Sequence, residues 1–253
     1  MSALAAEWIK IRTLRSTPWT LALTLLIAIG VAHLAGTALR RVTDPAHFDA
    51  VFAAFYGLSL AQLALVVFAV VAVGGEYPAG TIGPSLAAVP RRAVFYLAKL
   101  AAVGLCAVAV AVPAVAASFA TAQAALGPRR IALTDPGVPE TVAGAVLYLV
   151  LIALFAAGVA QVCRSPTVSL AVLLPLFFLG SQGLGNVPAV HTVTQYLPDQ
   201  AGAAILHFFG APGGPLYSRD FGPWTGLGIL ALWTAASVTA GYLVLRSRDA
   251  TTS

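Results

Sequence analysis

Few side chains in this sequence could carry covalent or hydrolytic chemistry, and their spacing excludes most of it. A phosphate-cradling loop needs glycines leading into Gly-Lys-Ser/Thr, yet the two lysines, Lys10 and Lys99, follow Ile9 and Ala98. The chain therefore has no route to nucleotide hydrolysis through such a loop. There is no HExxH, no DxDxDG loop and no Ser-His-Asp order with a supporting motif. Cys106 lies inside an apolar run and Cys163 at the end of another, no CxxC occurs, and the four histidines are scattered. Neither a metal cluster nor a disulfide framework follows. No catalytic residue, metal ligand or cofactor is expected on this chain.

The other polar residues in apolar surroundings are sparse. Tyr56, Ser59 and Gln62 recur every three residues and share one broad helical face, while Ser181 and Gln182 end a later run. They read either as interhelical hydrogen bonds, worth about 0.6 kcal/mol each, or as the lining of a substrate path. Lys99 is the one charge inside its run and, near the run's end, can snorkel to headgroups. His33 reads as a packed or interfacial histidine. No Asp, Glu or Arg occupies the middle of any run, where an ion-coupled carrier normally keeps a relay. That argues against a secondary transporter.

One connection is richer. From Gly74 to Leu100 the sequence reads GGEYPAGTIGPSLAAVPRRAVFYLAKL. Glu76 falls at the carbonyl end of a helix, where the dipole disfavours a carboxylate unless a cation or a partner protein relieves it. Thr81 can cap a short helix through Ile82, with Pro84 in its first turn and Leu86 and Val89 on one side. Pro90 stops it, and Arg91 and Arg92 anchor the run that follows. A short, stiff, apolar-sided helix over Thr81–Val89 is expected, of the kind a docking partner needs.

Lipid must position these residues. Of 253 residues, 59% are hydrophobic and 9% charged, with a mean hydropathy of +0.90, against roughly 25% charged in a soluble domain. Six runs are long enough to span about 30 Å of hydrocarbon, which takes about 20 helical residues. They are Trp19–Leu39, Val51–Val73, Leu100–Ala120, Thr141–Val162, Thr167–Leu184 and Trp224–Leu245. Backbone groups in lipid must pair internally, and the runs lack the alternation of a barrel. The expected fold is an all-α integral membrane protein, a single transmembrane domain over residues 1–253. The first run exceeds a signal core and has arginines on both sides, so it reads as a retained span. Pro113 and Pro175 should bend the third and fifth helices.

With both termini in the cytoplasm, nine of the fourteen Lys and Arg residues fall inside and five outside, the positive-inside sense. The formal charge of +5 is spread over run ends and is no nucleic-acid footprint. Ahead of the first span, Ser2–Ser16 places Leu4, Trp8 and Ile11 at helical spacing with Glu7, Lys10 and Arg15 elsewhere. It reads as an interfacial helix with its cations toward anionic lipid. Arg164–Pro166 is a tight turn. In the long external segment Gly185–Pro223, Asp199 can cap a helix carrying Ala201, Ala204, Ile205, Phe208 and Phe209, stopped by Gly210–Pro215. Too short to span, this helix should dip into the outer leaflet or cap the bundle as a re-entrant element.

Particular residues resemble a known family. Glu76-Tyr77, Gly80-Thr81-Ile82, Pro90-Arg91-Arg92 and Lys99-Leu100 look like the linker between spans two and three of type 2 ABC exporter permeases. The opening Glu7-Trp8-Ile9-Lys10-Ile11-Arg12-Thr13-Leu14-Arg15-Ser16 is similar to the start of actinobacterial members. So are Tyr196-Leu197-Pro198 with Ala201-Gly202, and Arg248-Asp249-Ala250. Pro78 and Pro84 depart from the linker pattern.

The resemblance implies a bacterial plasma-membrane permease that dimerises and binds separate cytoplasmic ABC ATPase subunits, ATP and magnesium being held by those partners. Thr81–Val89, with Glu76, Arg91 and Arg92, would couple to the ATPase. Spans two and five would shift about a conduit, and Asp199–Phe209 would form the outer gate. Two other readings stand beside this one. A membrane-embedded lipid-modifying enzyme would need clustered His, Asp or Glu at one surface, which the sequence does not offer. A non-transporting membrane partner, such as an immunity or assembly factor, is the other.

Overall fold

The computed structural model describes residues 3–42, 48–181, 191–210 and 219–247. The regular elements among these residues are all helices, with no strand. In chain order the helices are α1 (Ala3–Thr13), α2 (Ser16–Leu39), α3 (Ala50–Gly74), α4 (Ile82–Ala88), α5 (Arg92–Leu126), α6 (Val138–Cys163), α7 (Pro166–Ser181), α8 (His191–Thr194), α9 (Pro198–Gly202) and α10 (Pro223–Ser247). Short 3-10 turns cover Gly127–Arg129 and Ala203–Leu206.

Five of these, α2, α3, α5, α6 and α10, are long and apolar enough to cross a bilayer. The chain is a multi-pass membrane protein. The fifth apolar run is carried by α7, whose 16 described residues fall below that length. The rest of that run, including Gln182, lies outside the described residues. Helix α5 has 35 residues, about 52 Å at 1.5 Å per residue. It therefore outruns a hydrocarbon layer of about 30 Å, and the part that carries Arg92 to Lys99 is its first quarter. Both α5 and α7 run on past their internal prolines, Pro113 and Pro175.

Helix α3 is the hub, flanked by α2, α5, α6 and α7, and it buries most of its residues on all sides. Small residues let its neighbours approach. A Cβ on Gly57 would stand 2.6 Å from the Ala28 carbonyl oxygen of α2, a contact only glycine permits, as is usual where helices pack without a hydrophobic drive between them. By contrast, α2 and α10 expose Trp19, Leu26, Leu34 and Leu232, the outward apolar surface expected of helices facing lipid. His33 is also exposed on α2. At the turn into α7, Arg164 adopts the left-handed conformation with φ 53° and closes α6.

Candidate functional site

The bundle carries two buried polar centres, one at each end. The first gathers the leader helix, the α3–α4 connection and the start of α5. Lys99 Nζ donates to Glu7 Oε2 at 2.8 Å and lies 3.0 Å from Glu76 Oε1. Lys10 Nζ donates to Glu7 Oε1 at 2.7 Å, Glu76 Oε1 at 2.8 Å and Ser85 Oγ at 3.0 Å. Two carboxylates and two ammonium groups balance, with the Phe95 ring facing both cations at 5.0 and 5.7 Å. Burial penalises the charge on Lys10, but its hydrogen bonds to Glu7 and Glu76 more than offset this and lift its pKa.

This arrangement corrects three expectations. Lys99 does not snorkel to headgroups: its side chain is 2% exposed and points into the protein. Ile11 does not share an interfacial face with Leu4, because Ile11 is buried in the protein with Glu7 while Leu4 and Ile9 are exposed. Electrostatics overrides hydropathy here, since an unpaired buried ammonium costs several kcal/mol and Glu7 is what pairs Lys99. Thr81 does not cap α4 through its side chain. Its backbone is itself helical, with φ −86° and ψ −8°, rather than in the extended conformation that aims a capping side chain at the first turn. Thr81 Oγ1 reaches back instead to the Glu76 carbonyl at 3.4 Å.

Helix α4 is short, and its apolar side is turned inward. Ile82 is buried, and Leu86 and Val89 pack on the core. The surface the connection leaves exposed is Pro78, Ala79, Gly80, Thr81, Pro84, Ala87, Ala88, Pro90 and Arg91. Arg92 donates to the carbonyls of Leu245 and Arg246, both at 2.8 Å, and so ties the start of α5 to the end of α10. Tyr77 accepts from Gln161 Nε2 at 2.6 Å beneath the Arg164 guanidinium, and burial raises its pKa.

The second centre lies at the opposite end. Residues Pro198–Leu206 form two short pieces rather than one helix over Asp199–Phe209, and Leu197, not Asp199, holds the cap position. Pro198 opens the helix, so Asp199 falls in its first turn and is 1% exposed. Asp199 Oδ2 accepts from Gln200 Nε2 at 2.9 Å, and Arg219 donates to Gln200 Oε1 at 3.0 Å. Burial lifts the Asp199 pKa to about 6, against the pull of those hydrogen bonds and of Arg219. Arg219 stacks on Phe209 at 3.5 Å. Ile205 packs on α6 at Gly144. Phe208 meets Phe52 and Tyr56 of α3 edge-on at 6.1 and 5.9 Å.

His207 Nδ1 stands 2.8 Å from Asp49 Oδ2. Asp49 in turn caps α3, accepting from the amides of Val51 and Phe52. Burial opposes its charge, and His207 with those amides more than compensates, leaving its pKa lowered.

The candidate path residues part company. Tyr56 joins the aromatic group with Phe208. Ser59 donates to the Tyr56 carbonyl of its own helix at 2.8 Å. Gln62 accepts from Tyr148 at 2.5 Å, an α3–α6 bridge. Of Ser181 only the backbone is described, and Gln182 is outside the described residues.

The sequence did not single out Lys10 as a partner for Glu76, nor Glu7, Tyr148, Gln200 or Arg219. For Glu7 a signal existed: it and Glu76 are the two carboxylates read on the inner side, apart from Asp249 near the chain end, and two lysines stand there as well.

No protein-family model matches the chain, and no curated protein is significantly similar to it. Among the described residues no three His, Cys, Asp or Glu side chains converge as a metal site. What the first centre can do is mechanical. It joins a surface segment, a leader helix and a spanning helix through buried ion pairs.

Proposed function

We propose that this chain is the transmembrane permease subunit of an ATP-driven ABC exporter, coupled to separate ATPase subunits. The observation that carries the reading is the Glu7–Lys10–Glu76–Lys99 network, which fastens the exposed connection over residues 75–91 to the leader and to the first turns of α5. A push on that connection cannot stay local, because moving Glu76 separates charges that are costly to leave unpaired in a buried site. The family resemblance of the same residues, and a chain without a phosphate loop, support the same division of labour.

In this reading α7 completes a sixth span, both termini and the α4 end face the bacterial cytoplasm, and two copies form the conduit. ATP closure on the partner subunits drives a two-state change, so ATP must bind one state better than the other. The segment from Asp199 to Phe209 acts as the outer gate, dipping back toward the bundle. It is held by Ile205 on α6 and Phe208 on α3, so a shift of α3 reaches it directly. The path candidates are uncharged, which favours a hydrophobic or amphipathic cargo.

The test is reconstitution with the ATPase subunit in liposomes. ATP-dependent export is expected from the pair and from neither alone. Full activity of this chain without a nucleotide-hydrolysing companion would end the proposal.

A further inference from the structure

Four arginines from two distant stretches of the sequence meet at the end opposite the lysine network. Helices α2 and α5 reach that end in backbone contact, since a Cβ on Gly36 would stand 2.9 Å from the Ala122 carbonyl oxygen. Arg40 and Arg41 follow α2 directly. Gly127, at φ 60°, ends α5 in a conformation that favours glycine, and Arg129 and Arg130 come in the turn after it. A Cβ on Gly127 would lie 3.6 to 3.8 Å from the Arg40 guanidinium. Arg129 donates to the Val42 carbonyl, with its guanidinium 5.4 Å from the centre of the Phe48 ring. All four arginines are exposed.

Their charge is not matched within the chain. Among the described residues no carboxylate forms an ion pair with any of the four. Asp49 is held by His207 and the first amides of α3, and Asp135 accepts from the Ala132 amide. Asp44 lies outside the described residues and could offset one charge of the four. Like charges drawn together repel. The carbonyl ends of α2 and α5 oppose this with only about half a unit charge each. Most of the charge is left for something outside the chain.

The place of the cluster says what that is. Arg40 keeps helical dihedrals, so Arg41 continues the face of α2 that carries exposed Leu34 seven residues earlier. Leu34 lies about 10 Å below Arg41, within one leaflet of a hydrocarbon layer about 30 Å thick. Charge above and lipid-facing apolar surface below match a headgroup and its chain. The planar fork of arginine suits phosphate oxygens. A zwitterionic headgroup brings its own cation into the cluster, whereas an anionic one adds none.

We propose that Arg40, Arg41, Arg129 and Arg130 bind the headgroup of an anionic phospholipid whose chain lies along the exposed face of α2. The site stands whether or not the chain is a permease. With six crossings it belongs to the outer leaflet, where the positive-inside tendency gives four clustered arginines no reason.

The test uses the full-length chain in phosphatidylcholine nanodiscs, with a fluorophore on Ala124→Cys in a background without Cys106 and Cys163. Ala124 is exposed on α5 one turn before the cluster. Quenching is compared between equal small fractions of phosphatidylglycerol and phosphatidylcholine, each carrying a nitroxide near the top of one chain. Phosphatidylglycerol is expected to associate about fivefold more strongly, the scale of one arginine's attraction to an anionic surface. Arg40→Gln, Arg41→Gln and Arg130→Gln together should abolish that preference. Arg129 is kept because it holds the Val42 carbonyl. Arg12→Gln with Arg15→Gln, at the other end, should leave the preference unchanged.

Equal quenching by the two lipids with the arginines intact would overturn the proposal. A preference that survives the triple variant would do the same. Displacement by inorganic phosphate at constant ionic strength would assign the cluster to a soluble anion and overturn the lipid site as well. Failure to find a partner ATPase would sink the permease reading and alter none of these outcomes.

Discussion

Lys99 lies seven residues into α5, about 10 Å along the axis from Arg92, in a run whose hydropathy gives no hint of a partner. Its ammonium is stable there because Glu7 and Glu76 reach it from two other elements. Lys99→Met should therefore leave two buried carboxylates sharing Lys10, at a cost of about 3–5 kcal/mol. The loss would be read as a lower thermal midpoint in detergent. Adding Glu7→Gln should recover part of it. Lys10 is 38% exposed at its side chain, so water can reach the carboxylates it leaves, and Lys10→Ala should cost less than Lys99→Met.

Asp199 gives a pH prediction. Its folded pKa of about 6 stands above the ordinary 3.8, so the folded state holds the extra proton between those values. Stability should fall as pH rises from 3.8 to about 6 and level off above it. Asp199→Asn should flatten that slope. Asp49, with its pKa lowered, acts in the other direction and only below about pH 4, where its protonation costs the pair with His207. If the Asn variant keeps the wild-type slope between pH 4 and 6, the buried carboxylate is not its source.

At the scale of elements, approach distance decides what can move. A Cβ on Gly226 would lie 2.2 Å from the Ala201 carbonyl oxygen, so α9 rests directly on the backbone of α10. Gly226→Ala should push α9 outward and cost about 1–3 kcal/mol by overpacking, with increased protease cleavage near residues 195–210. The Gln62–Tyr148 bond joins α3 to α6 at a buried site. Tyr148→Phe removes only the hydroxyl and should cost about 0.6–1.7 kcal/mol, measured by thermal unfolding. Helix existence at this scale was legible, because long apolar runs bounded by Arg, Pro or Gly leave the backbone no other way to satisfy itself in lipid. Helix α4 was legible in position but not in orientation. The same residues, Ile82, Leu86 and Val89, could serve an external partner or the protein's own core, and only their packing on that core distinguishes the two.

For the whole molecule, the proposed six crossings make a sidedness prediction. In a background without Cys106 and Cys163, Arg91→Cys and Ser247→Cys should be labelled by an impermeant maleimide from the cytoplasmic side only. Asp135→Cys should be labelled from the outside only. Labelling of Arg91→Cys and Ser247→Cys from opposite faces would mean an odd number of crossings between them and would discard the layout. The leader helix ties into this picture, because its burial of Glu7 fixes α1 beside α5, and α1 must then lie on the same side as the α4 connection.

By itself the sequence determined that the chain needs lipid, where its long apolar helices run, and where the connection carrying Glu76, Arg91 and Arg92 lies. Run length, charge density and the absence of a phosphate loop are local properties that need no knowledge of neighbours. Tertiary structure alone decided which charges pair. Glu7 meets Lys99 across 92 positions and His207 meets Asp49 across 158. Coulomb attraction depends on distance in space, and separation along a chain says nothing about it until the helices have packed.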